Sequence, residues 1–197
     1  MLNDVFLVPE EFYFPAISIS DYQKAYAPFY PKFDHELLDR ILTEFELRPD
    51  SNIQQLSHGQ KKKFLIAFAL ATRCRLLLLD EPTNGLDIPS KALFRKILAG
   101  SLSEDQLVVI STHQVKDIEN LIDKIIILDK GKIIFQQTME EISQKVCFIS
   151  GTSDDVEGAI YSEEVPGGYR LMMQNGHAET EIDIELLFNA ITNGKKI

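Results

Sequence analysis

The chain is poor in basic charge and in cysteine, and it contains no long apolar run. Its 20 lysine and arginine residues stand against 30 acidic ones, and the net charge of -10 argues against nucleic acid or an anionic membrane surface as a partner. No stretch approaches the roughly 20 apolar residues of a membrane-spanning helix, and the first residues lack the features of a signal peptide. Cys74 and Cys147 lie outside any C-x-x-C pattern, so we expect reduced thiols. These absences predict a soluble cytosolic chain.

Short apolar runs alternate with helical patterns through the middle of the sequence. The apolar runs are Leu76–Leu79, Leu107–Ile110 and Ile125–Leu128, and the helical patterns between them are Pro89–Leu98 and Val115–Ile122. A further short strand is predicted at Asp4–Val8, where an apolar run stops at Pro9. This alternation is typical of an α/β fold with a buried parallel sheet.

The segment before the second predicted strand is expected to be helical. Eight of the 18 phenylalanine and tyrosine residues lie in Phe12–Phe33, and apolar residues then recur at helical spacing in Leu37–Phe45. Ser57 and Gln60 match a capping box, which predicts a helix start close to Ser57. We interpret the following Lys61–Lys63 as a solvated helix face rather than a nucleic-acid patch.

The character of the chain changes near residue 146. The strand-like runs Ala159–Ser162 and Tyr169–Met173 flank Pro166-Gly167-Gly168 and predict a hairpin. Asp183 is predicted to cap a short helix that ends at Gly194. We therefore predict a first domain over residues 1–146, which includes a helical subdomain over about residues 12–73, and a small α+β C-terminal appendage over residues 147–197.

Three motifs occur in order between residues 56 and 113. They are Leu56-Ser57-His58-Gly59-Gln60, the run LLLLDEPTNGLD from Leu76 to Asp87, and Ser111-Thr112-His113. This ordered set resembles the ABC-type ATPases, and the resemblance covers about Asp4–Gln144. The family cradles the phosphates of ATP with a G-x-x-x-x-G-K-[ST] loop, and no such loop occurs in the 197 residues. The resemblance implies an α/β fold with an incomplete P-loop NTPase-like parallel sheet, similar to the C-terminal two-thirds of a nucleotide-binding domain.

The resemblance also implies a catalytic pair, Glu81 and His113. In the family, the position of Asp80 holds Mg²⁺ through water, and the position of Glu81 polarises the water that attacks ATP. The position of His113 contacts the γ-phosphate, to which a neutral imidazole can donate a hydrogen bond. Positioning and charge neutralisation supply most of the catalysis in phosphoryl transfer, so these residue types suit the task.

The family's signature sequence is L-S-G-G-Q, and His58 replaces its first glycine here. The resemblance implies that Ser57, Gly59 and Gln60 help to bind the γ-phosphate held by an opposite subunit, because a hydroxyl and free N–H groups at a helix start form an anion site. Asp87 matches the D-loop aspartate that communicates across the dimer interface. A solvated or helix-capping aspartate is the alternative for that position.

Glu10 stands where the family has a glutamine that senses Mg²⁺ and the transmembrane partner. A carboxylate oxygen can interact with hydrated Mg²⁺ as an amide oxygen does. The alternative for Glu10 and Glu11 is a pair of solvated loop residues. The aromatic segment Phe12–Phe33 also has two interpretations: the core of the helical subdomain, or partly an exposed groove for the coupling helix of a transmembrane subunit.

The function that the resemblance implies is that of the ATP-binding subunit of an ABC transporter. Its cofactors are ATP and Mg²⁺, and its partners are a transmembrane permease subunit and a second ATP-binding subunit, with no nucleic acid. We expect a cytoplasmic protein, peripheral on the inner face of the cell membrane, that serves export. Without the phosphate loop, we expect this chain alone neither to bind ATP tightly nor to hydrolyse it.

Two alternatives stay open. One is a soluble ABC ATPase that acts on nucleic acid or the ribosome, against which the acidic charge and the lack of long heptad repeats argue. The other is a non-catalytic interaction module that binds a transporter or an ordinary ATPase subunit. That module would explain the missing loop but leave Asp80, Glu81 and His113 without their usual task.

Overall fold

Two compact units make up the chain, Met1–Asp117 and Ile118–Ile197. The computed structural model describes residues 2–176 and 180–197. Within those ranges, no helix is long and apolar enough to cross a membrane. These units are defined by their internal contacts. Our predicted boundary at residues 146 and 147 separates an ATPase-like domain from an appendage, and that division stays a prediction.

The first unit is built on a parallel sheet of three strands. They are β1 (Val5–Val8), β2 (Leu76–Asp80) and β3 (Leu107–Ser111), in the order β1-β2-β3. Leu78 in the central strand pairs with Leu7 on one side and with Val109 on the other. Its neighbours Leu77 and Leu79 are buried. The predicted α/β fold with a parallel sheet is confirmed.

The helices of this unit are α1 (Ile19–Tyr26), α2 (His35–Glu44), α3 (His58–Ala71) and α4 (Ile88–Ser101). Every side chain of α3 from Phe64 to its end is buried. The capping box predicted at its start is confirmed, since the Ser57 hydroxyl accepts the N–H of Gln60 (3.2 Å) and Oε1 of Gln60 accepts the N–H of Ser57 (3.0 Å). Local sequence therefore fixes where α3 begins.

The aromatic residues of the helical part meet around Phe68, which is 1% exposed. Its ring centroid lies 5.0 to 6.2 Å from those of Phe6, Tyr22, Tyr30, Phe33 and Phe64. Burial raises the pKa of Tyr22 to about 12. In the same segment, Tyr13 is 94% and Phe29 68% exposed. No ring of Phe12–Phe33 is itself fully buried, since the two buried rings of the cluster, Phe64 and Phe68, belong to α3. The core and the coupling-helix groove therefore both stay predictions for this segment.

The second unit contains a hairpin followed by an antiparallel sheet. Its elements are β4 (Lys124–Asp129), β5 (Lys132–Thr138), α5 (Met139–Lys145), β6 (Val146–Gly151), β7 (Tyr161–Val165), β8 (Gly168–Gln174) and α6 (Ile184–Thr192). Strands β6, β8 and β7 form the sheet in that order. The hairpin predicted at Pro166 and Gly167 is confirmed by the pairing of Val165 with Gly168. Asp183 accepts the N–H of Leu186 and caps α6 as predicted.

The run Ile125–Leu128 does not extend the parallel sheet, which corrects our prediction. As part of β4 it pairs antiparallel with β5 through the turn at Lys130 and Gly131, whose φ angles are 47° and 75°. Such a turn pairs strands that are adjacent in sequence, whereas a parallel neighbour requires a long crossover. Strand β3 therefore has one strand neighbour among the described residues. Leu107 (61%) and Val109 (46%) are exposed on the same face of the sheet as Leu7 (55%) of β1.

The helix predicted at Val115–Ile122 is also wrong. This fully described segment forms a short 3₁₀ turn, Val115–Asp117, after which the N–H of Leu121 bonds only three residues back to Ile118. Arg95 of α4 donates to the backbone carbonyl of Asp117 (3.3 Å). In an α-helix the carbonyl of Asp117 would accept the N–H of Leu121 instead. A tertiary contact therefore overrides the helical pattern here.

Candidate functional site

The predicted catalytic residues lie at one edge of the parallel sheet. Asp80 ends β2 opposite Ser111, which ends β3, and Glu81 and His113 follow these strand ends. The carboxyl ends of parallel strands are where α/β sheets place ligand sites. The fold therefore brings the acidic pair together with a histidine that lies 32 residues beyond Glu81 in the sequence.

Glu81 is held by the segment that follows β3. Its Oε1 accepts the backbone N–H of His113 (2.9 Å) and lies 2.7 Å from Nδ1 of the same residue. Its Oε2 accepts the hydroxyl of Thr112 (2.9 Å). The side chain of Glu81 is 14% exposed, whereas that of His113 is 70% exposed. The carboxylate is thus fixed from within the protein, and the imidazole stays open to solvent.

The backbone of Glu81 is strained. Its φ of 42° lies in the left-handed region, which costs a non-glycine residue about 1–3 kcal/mol. Its N–H donates to the carbonyl of Ser111 (2.9 Å), and its carbonyl accepts the N–H of Asn84 (3.2 Å). The chain therefore turns sharply at the carboxylate itself, and strain of this kind concentrates at functional sites.

One carboxylate oxygen of Asp80 is not engaged by the described part of the chain. The Ser111 hydroxyl donates to its Oδ1 (2.6 Å), and its Oδ2 makes no hydrogen bond within the described part of the chain. No group of three or more His, Cys, Asp or Glu side chains among the described residues could hold a metal ion by itself. Mg²⁺, however, commonly keeps several waters and takes one or two carboxylates together with substrate phosphates. Asp80 fits that mode of binding.

Glu10 reaches the same region through Asn84. Oε1 of Glu10 accepts the side-chain N–H of Asn84 (2.8 Å), a residue three positions beyond Glu81. Sequence spacing gives no sign of this contact, because it joins the loop after β1 to the turn after β2, 74 positions away. Glu10 is therefore anchored rather than simply solvated, and its role toward Mg²⁺ stays a prediction.

Lys62 is fully buried, which corrects the solvated face predicted for Lys61–Lys63. Its ammonium donates to the carbonyls of Pro9 (3.3 Å) and Glu10 (3.2 Å). The same group lies 5.3 Å from the centre of the Phe12 ring, within cation–π range. Lys62 thus fastens the loop that carries Glu10 to helix α3.

The charge of Lys62 lies close to the acidic edge. Burial lowers the pKa of Lys62, and the negative charges of Glu10, Asp80 and Glu81 oppose that shift. One sequence signal could have revealed its position: Lys62 precedes Ile66 by one helical turn and so belongs to the buried face of α3.

The start of α3 packs closely against the turn after β2. A Cβ added to Gly59 would lie 3.1 Å from the carbonyl oxygen of Gly85, and one added to Gly85 would lie 3.0 Å from Cδ2 of His58. Gly85 also has a φ of 79°, which favours glycine. The His58 ring stacks on Phe12 with centroids 5.3 Å apart. The imidazole that replaces the first signature glycine therefore contacts two other segments of its own chain.

Ser57, Gln60 and Asp87 serve as helix caps. Ser57 and Gln60 form the capping box of α3. Asp87 accepts the N–H of Ser90 (2.9 Å) and begins α4, and the hydrogen bonds with Ser90 lower the pKa of Asp87. Capping accounts for these residues structurally. Their predicted contacts with phosphate and with a second subunit stay predictions.

Known proteins resemble this chain in sequence and fold. A family model described as "AAA domain, putative AbiEii toxin, Type IV TA system" matches residues 4–116. An uncharacterized ABC transporter ATP-binding protein of Methanocaldococcus jannaschii is 30% identical over 139 residues, which cover 71% of this chain and 52% of that protein. The cobalt import ATP-binding protein CbiO of Salmonella paratyphi A is 39% identical over 90 residues, which cover 46% of this chain and 33% of that protein.

A solved ATP-binding subunit of an ABC transporter shares the fold. It is 23% identical and superposes with a TM-score of 0.63, covering 71% of this chain and 61% of that one. The chain spans about half the length, or less, of the two curated relatives.

Proposed function

Because the chain belongs to the matched AAA-domain family and to the ATP-binding proteins of ABC transporters, we propose that it carries the water-activating and switch part of an ATPase site. That site drives solute movement through a separate permease subunit. The contact between Glu81 and His113 carries the proposal. It joins a carboxylate suited to proton transfer with an imidazole suited to holding phosphate, at the strand ends where α/β proteins bind ligands.

In this proposal Glu81 orients the attacking water and takes its proton. Oε2 accepts one hydrogen bond, from Thr112, and keeps a second lone pair for the water. The exposed His113 ring turns from Glu81 toward the γ-phosphate, while its backbone N–H keeps the carboxylate in place. Asp80 and Glu10 would hold Mg²⁺, which would neutralise charge on the phosphates.

A second ATP-binding subunit would use the start of α3. The Ser57 oxygen accepts the N–H of Gln60, so its hydroxyl hydrogen stays available for a phosphate oxygen. The close packing of Gly59 on Gly85 keeps this end of the helix next to the turn that leads to Asp87. We assign Ser57, Gly59, Gln60 and Asp87 to the dimer contact on that basis.

The phosphate-binding loop would come from outside these 197 residues. Strand β3 supports this, because it has a strand neighbour on one side only among the described residues. Leu7, Leu107 and Val109 are also exposed on one face of the sheet, which suits cover by further protein. In the proposal, the strand that leads into the phosphate loop pairs with β3. The 197-residue chain alone then neither binds ATP tightly nor hydrolyses it.

The cell location in this proposal is the cytoplasmic face of the membrane, beside the permease. The exposed Tyr13 and Phe29 are candidates for the permease contact. We favour export, on the loop Pro9-Glu10-Glu11 and the acidic C-terminal segment. Co-purification with a permease subunit supports the transporter, whereas salt-sensitive RNA binding would support the ribosome-type alternative instead.

The decisive experiment starts with the coding DNA upstream of the Met1 codon. If a phosphate loop is encoded in frame there, the longer protein is expected to hydrolyse Mg-ATP. Glu81→Gln should then lower kcat at least about a hundredfold, the smallest usual effect of losing a general base. Glu11→Gln, an exposed neighbour of Glu10, is the matched control and should leave the rate unchanged.

Two results would contradict the proposal. One is full activity of Glu81→Gln in the longer protein. The other is tight, Mg²⁺-dependent ATP binding by the 197-residue chain in calorimetry, which would show that the phosphate loop is dispensable.

A further inference from the structure

A half-buried lysine on α4 holds the turn that follows His113. Its ammonium, on Lys91, lies 2.7 Å from Oε1 of Gln114 and 2.7 Å from Oδ2 of Asp117. The side chains of Lys91 and Asp117 are only 22% and 17% exposed. Arg95, one turn further along α4, donates to the backbone carbonyl of Asp117 (3.3 Å). Helix α4 therefore fixes both ends of the turn.

Gln114 connects this turn to the candidate catalytic carboxylate. Its backbone N–H donates to Oγ1 of Thr112 (2.9 Å), and the same hydroxyl donates to Oε2 of Glu81 (2.9 Å). The covalent chain completes the circuit, because it runs from Glu81 through the cap Asp87 into α4. Lys91 thus links α4 to Gln114, and Gln114 is linked through Thr112 to Glu81.

We infer that Lys91 is a positioning residue for the contact between Glu81 and His113, and that it transmits a displacement of the start of α4 to the switch segment. The inference rests on the proposed function, in which Glu81 activates water and Asp87 lies at the dimer contact. The ammonium of Lys91 contacts Gln114 and Asp117 at once, and moving away from Asp117 would leave two partly buried charges unpaired. Movement of α4 therefore carries residues 114–117 with it, and Thr112 and His113 follow.

The test compares Lys91→Met with Lys91→Arg in the full chain, by NMR hydrogen exchange without nucleotide. The N–H groups of His113 and Gln114 bond to Glu81 and Thr112, so their exchange reports on the contact itself. We expect Lys91→Met to speed exchange at both by roughly two- to tenfold, which corresponds to one net hydrogen bond. The ring nitrogen signals of His113 should shift as well. Lys91→Arg keeps a charged donor and should restore both readouts.

Lys96→Met is the matched control. Lys96 lies on the same helix in an exposed pair with Glu44 (3.4 Å), and its loss should leave exchange at His113 and Gln114 unchanged. Unchanged exchange in Lys91→Met would overturn the inference. Equal acceleration of amides throughout α1, α2 and α3 would overturn it too, because that pattern describes a merely structural lysine.

If Lys91→Met does not fold, Gln114→Met decides the question. It removes the contact with Gln114 and leaves the ion pair with Asp117. Faster exchange at His113 supports the inference, and wild-type exchange contradicts it. None of these readouts needs ATP, so their failure is distinguishable from a failure of the proposed ATPase function.

Discussion

Two groups of carboxylates in this chain, one in each unit, are satisfied by different kinds of partner. In the second unit, the Arg170 guanidinium pairs with Glu163 (2.7 Å), Asp183 (3.2 Å) and Glu185 (3.3 Å). In the first unit, Glu81 and Asp80 are bonded by hydroxyls, a backbone N–H and an imidazole. No lysine or arginine in the described ranges forms an ion pair with either of these two.

The difference separates a structural task from a chemical one. An arginine is always charged, so Arg170 keeps a positive charge beside its three carboxylates whenever they are ionised, which secures the fold around them. Hydroxyl and N–H donors orient a carboxylate but leave its negative charge for a cation or a proton. The same residue types therefore stabilise the second unit and remain reactive at the edge of the sheet in the first.

The largest effect is expected from removing the shared cation of the second unit. Arg170→Met would leave the carboxylates of Glu163 and Asp183 facing each other. Breaking a buried pair costs roughly 3–5 kcal/mol, and partial solvation here reduces our expectation to about 2–3 kcal/mol. Urea unfolding followed by circular dichroism measures the loss. Arg48→Met, which removes a fully exposed pair with Asp50, is the control and should change nothing measurable.

Replacing a glutamate by glutamine in each unit tests the comparison directly. Glu163→Gln removes the charge that meets Arg170 and should destabilise the second unit by about 1–2 kcal/mol. Glu81→Gln breaks no ion pair with a lysine or arginine among the described residues and should alter the free energy of unfolding by less than about 0.5 kcal/mol, because residues at functional sites are not selected for stability. Equal losses in the two variants, measured by urea unfolding, would erase the distinction.

Asp34 offers an intermediate case within the first unit. It accepts the N–H of Leu37 (2.9 Å) and pairs with Arg73 (2.8 Å), and these bonds lower its pKa from 3.8. A lowered folded pKa means that the contribution to stability is complete above 3.8 and is lost as the pH falls through the lower value.

Asp34→Asn keeps a helix cap but cannot titrate. The wild type should therefore exceed the variant by about 1 kcal/mol at neutral pH, and the advantage should vanish on acidification. Urea midpoints across a pH series give the difference, and an advantage that does not depend on pH would argue against the assignment.

The smallest effect concerns backbone strain. Lys130 has a φ of 47°, similar to the 42° of Glu81, yet it lies in an exposed turn with no chemical task. Lys130→Gly should stabilise the protein by about 0.5 kcal/mol. Lys132→Gly, two residues later inside β5, should do the reverse because glycine weakens strands. A loss of thermal stability in Lys130→Gly would show that the left-handed backbone at Lys130 is not strained enough to lower stability.

Capping and turn signals in the sequence were sufficient to predict the structure beside them. The capping box at Ser57 and Gln60, the cap at Asp183 and the hairpin at Pro166 each depend on residues a few positions apart, and each was predicted. The order of the site motifs was also readable, because strand ends bring Glu81 and His113 together in any parallel sheet of this type.

Long-range contacts decided the features that the sequence left hidden. Lys62 is buried because two carbonyls 52 and 53 positions away accept its hydrogen bonds. The segment after His113 fails to form a helix because Lys91 and Arg95 hold it from α4. The strand partner of Ile125–Leu128 was misjudged because apolar periodicity indicates a strand but not its neighbour.

The packing of Gly59 on Gly85 has a consequence for how this sequence can change over time. A side chain at position 59 would press on the backbone of position 85, and a side chain at position 85 would press on His58. Mutational drift at these sites is therefore not independent, even though 26 positions separate the two glycines. A substitution of either glycine requires a change in the turn between Asn84 and Asp87. The motif at residues 56–60 and the motif at residues 76–87 are therefore expected to evolve together.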